Sequence, residues 1–162
     1  DPVFRESGSV TAGNSCPLND GAAAVVVMSA ERAEQLGLTP LARIVSTAVS
    51  ALSPEIMGLG PVEATKRALQ RAGLGIGDID QVELNEAFAS QVIASARALG
   101  IDHERLNVNG GAIALGHPFG ATGARIASTL IHSLRERDQE LGLVTMCVAG
   151  GQGAAMVLQR LS

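Results

Sequence analysis

The sequence has very few aromatic residues: no Trp, no Tyr and three Phe among 162 residues. Proteins that bind single-stranded nucleic acids stack the bases on aromatic side chains within a basic groove. This chain instead carries a net charge of −4 and has an isoelectric point near 5.3. We therefore expect no nucleic acid among its partners, and a core built from small aliphatic side chains and glycine.

Cysteines are scarce, and long apolar runs are absent. Cys16 and Cys147 are too few for a disulfide framework and lack the spacing of a metal knuckle. We expect free thiols, a cytoplasmic location and no metal. The longest uncharged apolar run, residues 21–28, is far shorter than the roughly 18 residues of a membrane span, so we expect no membrane partner. The N-terminus does not start with Met and lacks the layout of a signal peptide, so we expect a trimmed chain.

What is present is a pattern of apolar strands alternating with amphipathic helices. Hydrophobic residues make up 46% of the chain, which excludes a disordered protein. The pattern predicts an α/β layered domain with a mixed β-sheet and helices on both faces. The predicted strands are residues 22–28, 41–52, 80–85, 143–148 and 154–158, and the last two form a hairpin linked by residues 149–153. The predicted helices are residues 30–36, 61–72, 86–99 and 122–137.

Three reactive side chains lie where a predicted strand or helix meets a loop. Asn85 lies at the end of a predicted strand and could hold a water or donate its amide to a ligand carbonyl, although Asn at this place is commonly a helix N-cap. His117 lies in the Gly-rich residues 110–123 before a helix, which would keep the imidazole neutral and available as a base; the alternative is a turn histidine. Cys147 precedes a Gly-rich link whose amides could bind an oxyanion, but a Cys in an apolar strand is more often simply buried.

Five motifs follow one another along the chain. They are MGLGP at residues 57–61, NEAF at 85–88, NVNGG at 107–111, GHP at 116–118 and CVAGGQG at 147–153. Together with residues 11–24, they resemble the thiolase family, which comprises acetyl-CoA acetyltransferases and 3-ketoacyl-CoA thiolases. The resemblance runs over essentially the whole chain. It implies an α/β, thiolase-like layered domain.

The resemblance implies a role for four of these residues. His117 would activate the nucleophilic cysteine and help to bind the thioester oxygen. Cys147 would be the acid/base at the substrate α-carbon or the leaving thiolate, and Asn85 would hold a water in the first oxyanion hole. The second oxyanion hole would use the backbone amide of Ala149. A non-glycine residue at a position that needs a positive φ would cost on the order of 1 kcal/mol, so this amide is strained only if φ is positive there.

The resemblance also implies a substrate site and partners. Cys16 falls where many thiolases have a serine near the pantetheine arm of the substrate, and Met57 and Phe88 fall on apolar positions beside that arm. CoA thioesters would be the partners, with coenzyme A as a substrate and no covalently bound cofactor. The intact enzyme would be a homo-oligomer. Residues 1–38 would form the tail of the N-terminal domain, and residues 39–162 the C-terminal domain.

The family's nucleophilic cysteine lies in an N-terminal motif that this chain does not contain. We therefore expect the chain alone to be inactive as a thiolase, with the N-terminal thiolase half as its missing partner. Two alternatives are a non-catalytic module that binds CoA esters and one subunit of a split thiolase.

Overall fold

The computed structural model describes residues 1–162 and confirms an α/β architecture around a mixed four-stranded sheet. The strands are β1 (Ala42–Ala51), β2 (Gln81–Leu84), β3 (Leu141–Val148) and β4 (Gln152–Arg160). Their order across the sheet is β1-β4-β3-β2. The pairs β1–β4 and β4–β3 are antiparallel, whereas β3 and β2 are parallel. The predicted C-terminal hairpin is confirmed, with a link of three residues instead of five.

Five α-helices accompany the sheet. They are α1 (Ala30–Gln35), α2 (Gly60–Ala72), α3 (Ala89–Leu99), α4 (Ala112–Leu115) and α5 (Thr122–Glu136). The Ser29 side chain caps α1 by accepting a hydrogen bond from the Arg32 backbone N–H at 3.2 Å. Helices α2 and α3 end at Gly73 and Gly100, which both adopt the left-handed conformation. None of the helices is long and apolar enough to cross a bilayer.

The sheet carries a helical layer on each face. Successive side chains of β2 point to opposite faces of the sheet. Val82 and Leu84 point to the face covered by α2 and α3, because they belong to the core shared with these helices. Gln81 points the other way, where its side chain accepts a hydrogen bond from Ser133 of α5 at 2.6 Å. A second, smaller core lies under α5. Large fully buried side chains in both cores are aliphatic, as the composition predicts.

A short segment extends the sheet beyond β2. Leu106 forms a parallel bridge with Val82, and the Asn107 backbone N–H donates a hydrogen bond to the Val82 carbonyl at 2.8 Å. The Asn107 side chain then continues the pairing, because its Oδ1 accepts from the Leu84 N–H and its Nδ2 donates to the Leu84 carbonyl, each at 2.9 Å. This places residues 107–111 beside the end of β2.

The predicted strand at residues 22–28 is wrong. These residues form no strand, and Val25, Val26 and Val27 are exposed, with Val26 at 85%. A strand needs hydrogen bonds from a neighbouring strand, and none of the four strands lies beside this run. An apolar, Val-rich sequence indicates that a segment tends to be buried. It does not show whether another strand lies beside the segment to pair with it.

Two loops also differ from the predictions. The third helix begins at Ala89 and not at Glu86, because Phe88 is extended (φ −146°) and forms a bridge with Ser15. The Gly-rich stretch before His117 contains the single-turn helix α4, which the sequence pattern did not indicate.

Candidate active site

The ends of two parallel strands bring Asn85 and Cys147 to the same edge of the sheet. Leu84 of β2 lies opposite Thr145 of β3, and the Asn85 N–H donates a hydrogen bond to the Thr145 carbonyl at 3.0 Å. Cys147 follows on β3, opposite Gly153 of β4. Ligands of α/β proteins bind beyond the carboxyl ends of parallel strands, so these two side chains occupy a typical ligand-binding edge.

The Asn85 side chain has an unsatisfied amide. The residue is 1% exposed, yet neither Oδ1 nor Nδ2 has a hydrogen-bond partner within the protein. Leaving a buried polar group unpaired costs about 1–3 kcal/mol for each group. Asn85 also does not cap α3, which starts four residues later. An amide held in this way is suited to a polar ligand atom or a water.

Two thiols lie near this edge. The Cys16 backbone N–H donates a hydrogen bond to the Ala87 carbonyl at 3.1 Å, two residues beyond Asn85. Burial raises the pKa of the Cys147 thiol, and the nearby Cys16 raises it further. Burial likewise raises the pKa of Cys16. Both raised pKa values favour the thiol over the thiolate at neutral pH.

The ring of His117 is tied to Thr122. The Thr122 hydroxyl oxygen lies 2.6 Å from Nδ1 of His117 and 3.0 Å from the Pro118 carbonyl oxygen. In the tautomer with the proton on Nδ1, that nitrogen donates to Thr122 and the Thr122 hydroxyl donates to the Pro118 carbonyl, so Nε2 keeps its lone pair. A bare Nε2 is the atom that a general base requires.

The charge state of His117 is set by its surroundings. Burial lowers the pKa of the imidazole, and the Arg125 guanidinium lowers it further. The neutral ring predicted from the sequence is thus favoured, although burial and Arg125 are the causes instead of a helix terminus. Burial raises the pKa of Glu83, and the Arg125 guanidinium opposes this rise. Both terminal nitrogens of this guanidinium are buried without a hydrogen-bond partner.

Helix α3 connects the segments of two predicted substrate-binding residues. Phe88 lies at the start of α3, and the ring of Phe4 meets it edge-on with the centroids 6.2 Å apart. Met57 belongs to the 3-10 helix Pro54–Leu59, which is tied to α3 because Ser95 Oγ donates a hydrogen bond to the Gly58 carbonyl at 3.0 Å.

The hairpin turn after Cys147 leaves the backbone of Ala149 unstrained. Positive φ values in this turn fall on Gly150 (82°) and Gly151 (84°) and not on Ala149. The alanine therefore needs no unusual conformation, and its N–H is retained. A Cβ on Gly151 would overlap the Leu52 carbonyl oxygen, so this turn is packed against the end of β1.

The loop that carries His117 packs against residues 19–21. A Cβ on Gly116 would lie 2.5 Å from Oδ1 of Asn19, and a Cβ on Gly21 would lie 2.6 Å from Cγ of Pro118. An open groove runs between residues 19–23 and 118–121. No group of three or more His, Cys, Asp or Glu side chains is arranged to hold a metal ion.

Comparison with known families decides which proteins this chain is related to. The model of the thiolase C-terminal domain matches residues 38–160. The chain belongs to the thiolase family. The model of the thiolase N-terminal domain matches residues 1–31. The resemblance read from the five motifs is thereby confirmed.

Curated thiolases are similar to the chain over nearly all of its length. An acetyl-CoA acetyltransferase of Escherichia coli (strain K12) is 58% identical over 161 residues, which are 99% of this chain and 41% of that protein. A 3-ketoacyl-CoA thiolase of Bacillus subtilis (strain 168) is 56% identical over 158 residues, or 98% of this chain and 40% of that protein. The chain thus spans about two-fifths of the length of these relatives.

Solved thiolase structures share the fold. The crystal structure of the Bacillus anthracis acetyl-CoA acetyltransferase matches with a TM-score of 0.97 and 49% identity, covering 99% of this chain and 41% of that one. Human mitochondrial 3-ketoacyl-CoA thiolase in complex with CoA matches with a TM-score of 0.93 and 47% identity, over the same shares of the two chains. The thiolase-like layered fold is therefore shown.

Several side chains around this candidate site are not marked by the sequence alone. Phe4, Thr122, Arg125 and Glu83 acquire their importance from contacts made on folding. The signals available were a charged residue within an apolar strand for Glu83, and a charged residue beside the apolar stripe of a helix for Arg125. Nothing in the sequence marked Phe4, which lies in an irregular segment.

Proposed function

We propose that this chain supplies the acid–base and oxyanion-binding residues of a thiolase-type acyl-CoA acyltransferase. The observation that carries the proposal is the unpaired, buried amide of Asn85 beside the Cys147 thiol at one edge of the sheet. With its proton on Nδ1, beside the Thr122 hydroxyl, His117 adds a base at Nε2. The names of the relatives support the same reaction class.

The proposed reaction exchanges acyl groups between two thiols. A nucleophilic cysteine outside this chain attacks the 3-keto carbon of a 3-ketoacyl-CoA, with His117 Nε2 accepting its proton. The bond between C2 and C3 breaks, and Cys147 gives its proton to C2, which releases acetyl-CoA. The thiol of coenzyme A then attacks the acyl-enzyme and returns a proton to Cys147, while the bond to the nucleophilic cysteine breaks and that cysteine takes back the proton held by His117. The reverse sequence condenses two acetyl-CoA molecules.

In this proposal, Asn85 and Ala149 stabilise the oxyanions. Charge develops on the thioester oxygen in both half-reactions, and one fixed donor is worth on the order of 3 kcal/mol. Asn85 would act through a water in the first oxyanion hole. The Ala149 N–H would serve the second hole, and its unstrained backbone supports that role.

The substrate would enter along the apolar side of the site. Cys16 and the pair Met57 and Phe88 would line the pantetheine arm, and Phe4 is added to them by its contact with Phe88. Coenzyme A is therefore proposed as a substrate, without a covalently bound cofactor. The human relative solved with CoA supports this proposal.

The division of the chain follows from the same proposal. Residues 1–38 would be the tail of the thiolase N-terminal domain and residues 39–162 the C-terminal domain, which the matches at 1–31 and 38–160 support. The cysteines of the chain are Cys16 and Cys147, and we propose that neither is the family's nucleophile. We propose that the N-terminal half supplies it, that this chain alone does not turn over, and that the complete enzyme is a homo-oligomer.

A non-catalytic module that binds CoA esters is the second candidate. The replacement of a glycine by Ala149 in the oxyanion loop would favour it if the alanine were strained. The φ at Ala149 is not positive, and Thr122 offers His117 a partner for Nδ1 in the tautomer that a base requires. Both observations favour the enzyme.

Two substitutions test the roles, in a polypeptide that joins this chain to a thiolase N-terminal half. Cys147→Ser should still form the acyl-enzyme from acetyl-CoA, because a CoA thiolate can leave without a proton, but it should slow thiolysis by about 100-fold or more, because the C2 carbanion needs a proton donor. His117→Ala should slow acylation itself by a similar factor. Acylation is measured by mass spectrometry and thiolysis by loss of the 3-ketoacyl-CoA.

The control is His132→Ala, which removes an exposed histidine of α5 and should change neither step. Equal loss of acylation in Cys147→Ser, or normal acylation in His117→Ala, would contradict the assigned roles.

A further inference from the structure

The Glu86 carboxylate joins two parts of the site. Glu86 follows Asn85 directly, at the end of β2. Its Oε1 accepts a hydrogen bond from Nδ2 of Asn107 at 2.9 Å, and its Oε2 accepts one from the Ile113 backbone N–H at 3.1 Å. Both oxygens thus hold residues 107–115, which lead without interruption to Gly116 and His117.

The Asn107 amide can face Glu86 only with its donor. Oδ1 of Asn107 is occupied by the Leu84 N–H, and Nδ2 also donates to the Leu84 carbonyl. Rotating the amide by 180° would break both of these buried hydrogen bonds. Position 86 must therefore present an acceptor, which fits a carboxylate and suits an amide poorly.

Glu86 also caps the single-turn helix before His117. The first N–H groups of a helix need acceptors from outside it. Gly111, at the N-cap of α4, has no side chain to offer, and Glu86 supplies the acceptor for Ile113. A Cβ on Gly111 would overlap the Glu86 carboxylate, although the φ of −124° would tolerate alanine.

We infer that Glu86 is a positioning residue that fixes the His117 loop relative to Asn85. It reaches the chemistry through these two residues, because its own oxygens are bonded to Asn107 and Ile113. The inference rests on the proposed function. Glu86 is the second residue of the NEAF motif. An interaction with the helix dipole does not explain it, because α3 starts only at Ala89.

The test compares Glu86→Ala, Glu86→Gln and Gly111→Ala in the polypeptide that joins this chain to a thiolase N-terminal half. Loss of both hydrogen bonds should lower kcat by about 30–100-fold in Glu86→Ala, since a displacement of about 1 Å costs about 100-fold. KM should change by less than about threefold, because Glu86 binds no substrate. Glu86→Gln keeps one acceptor for Ile113 and should fall in between, as a partial rescue.

Gly111→Ala provides the second arm, with Gly123→Ala as its control. The new Cβ should push the carboxylate aside and lower kcat, whereas a Cβ on Gly123 meets nothing within 4 Å and should leave kcat unchanged. The double variant Glu86→Ala with Gly111→Ala should be no slower than Glu86→Ala alone, because the clashing group is gone. Additive losses, or a kcat within about twofold of wild type in Glu86→Ala, would overturn the inference.

A readout independent of activity separates this inference from the proposed function. In Glu86→Ala the NMR signals of the His117 ring should shift while those of the exposed His132 stay unchanged. Shifted His117 signals in a polypeptide without thiolase activity would support Glu86 as a positioning residue and refute the proposed function. Unchanged His117 signals would overturn the inference even in an active enzyme.

Discussion

At the scale of single residues, Glu83 links burial to the stability of the protein. The side chain is 2% exposed and burial raises its pKa from 4.5 to about 7, against the opposing effect of the Arg125 guanidinium. Between these pH values the folded protein holds a proton that the unfolded chain has released. The free energy of unfolding therefore falls as the pH rises from 4.5 to 7, by a total of about 3 kcal/mol.

Glu83→Gln should remove this pH dependence, because glutamine does not ionise. We expect the variant to exceed wild type in free energy of unfolding by up to about 3 kcal/mol above pH 7, and to match it below pH 4.5. Urea denaturation across this range measures the difference. Glu136→Gln, an exposed position of α5, should show no such trend. A benefit of Glu83→Gln that is equal at every pH would contradict the prediction.

The reactive residues could be predicted from the sequence more readily than their neighbours. Asn85, His117 and Cys147 stand at strand ends or among glycines, and this local setting is visible in the sequence. The influence of Arg125 on the buried Glu83 is not visible, because the two residues are 42 positions apart and come near each other only when α5 packs on β2. Roles that arise from desolvation require the fold.

At the scale of elements, two glycines set the approach of α2 to the C-terminal hairpin. Gly60 begins α2, and Gly153 lies opposite Cys147 in the hairpin. A Cβ on either glycine would overlap the backbone of the other segment. The Ser50 hydroxyl closes the contact by donating a hydrogen bond to the Gly60 carbonyl at 2.9 Å. Small residues here allow the backbones to touch, so the position of Cys147 depends on them.

Gly153→Ala should destabilise the chain by about 1–3 kcal/mol, the usual cost of overpacking a well-packed core. The loss follows from steric overlap, because Gly153 has no positive φ. Gly77→Ala is the matched control, since a Cβ there meets nothing within 4 Å. Chemical denaturation of both variants measures the difference. Equal stability of the two variants would show that the hairpin can move away from α2 without cost.

Helices and paired strands followed from hydrophobic periodicity, and the exceptions have physical causes. The strand predicted at residues 22–28 lacks a neighbour, which no local pattern reveals. The helix predicted from Glu86 starts at Ala89, because the Glu86 carboxylate bonds to residues distant in sequence and Phe88 bridges Ser15. Contacts of this kind override local propensity at the very loops that carry the site.

At the scale of the whole molecule, the exposed apolar run at residues 25–28 fits the proposed partner. This run lies just before α1, within residues 1–31, which match the thiolase N-terminal domain. The chain covers about 41% of the length of its relatives. We propose that the N-terminal half covers this run and brings the nucleophilic cysteine to Asn85, His117 and Cys147.

Reconstitution of the two halves tests this proposal most directly. The chain is mixed, or co-expressed, with a thiolase N-terminal half that carries the nucleophile, and the CoA-dependent cleavage of a 3-ketoacyl-CoA is followed. We predict no cleavage by either half alone and cleavage by the pair, which is lost when the pair carries His117→Ala. Cleavage by this chain alone, or an assembled pair that stays inactive, would contradict the proposed division of labour.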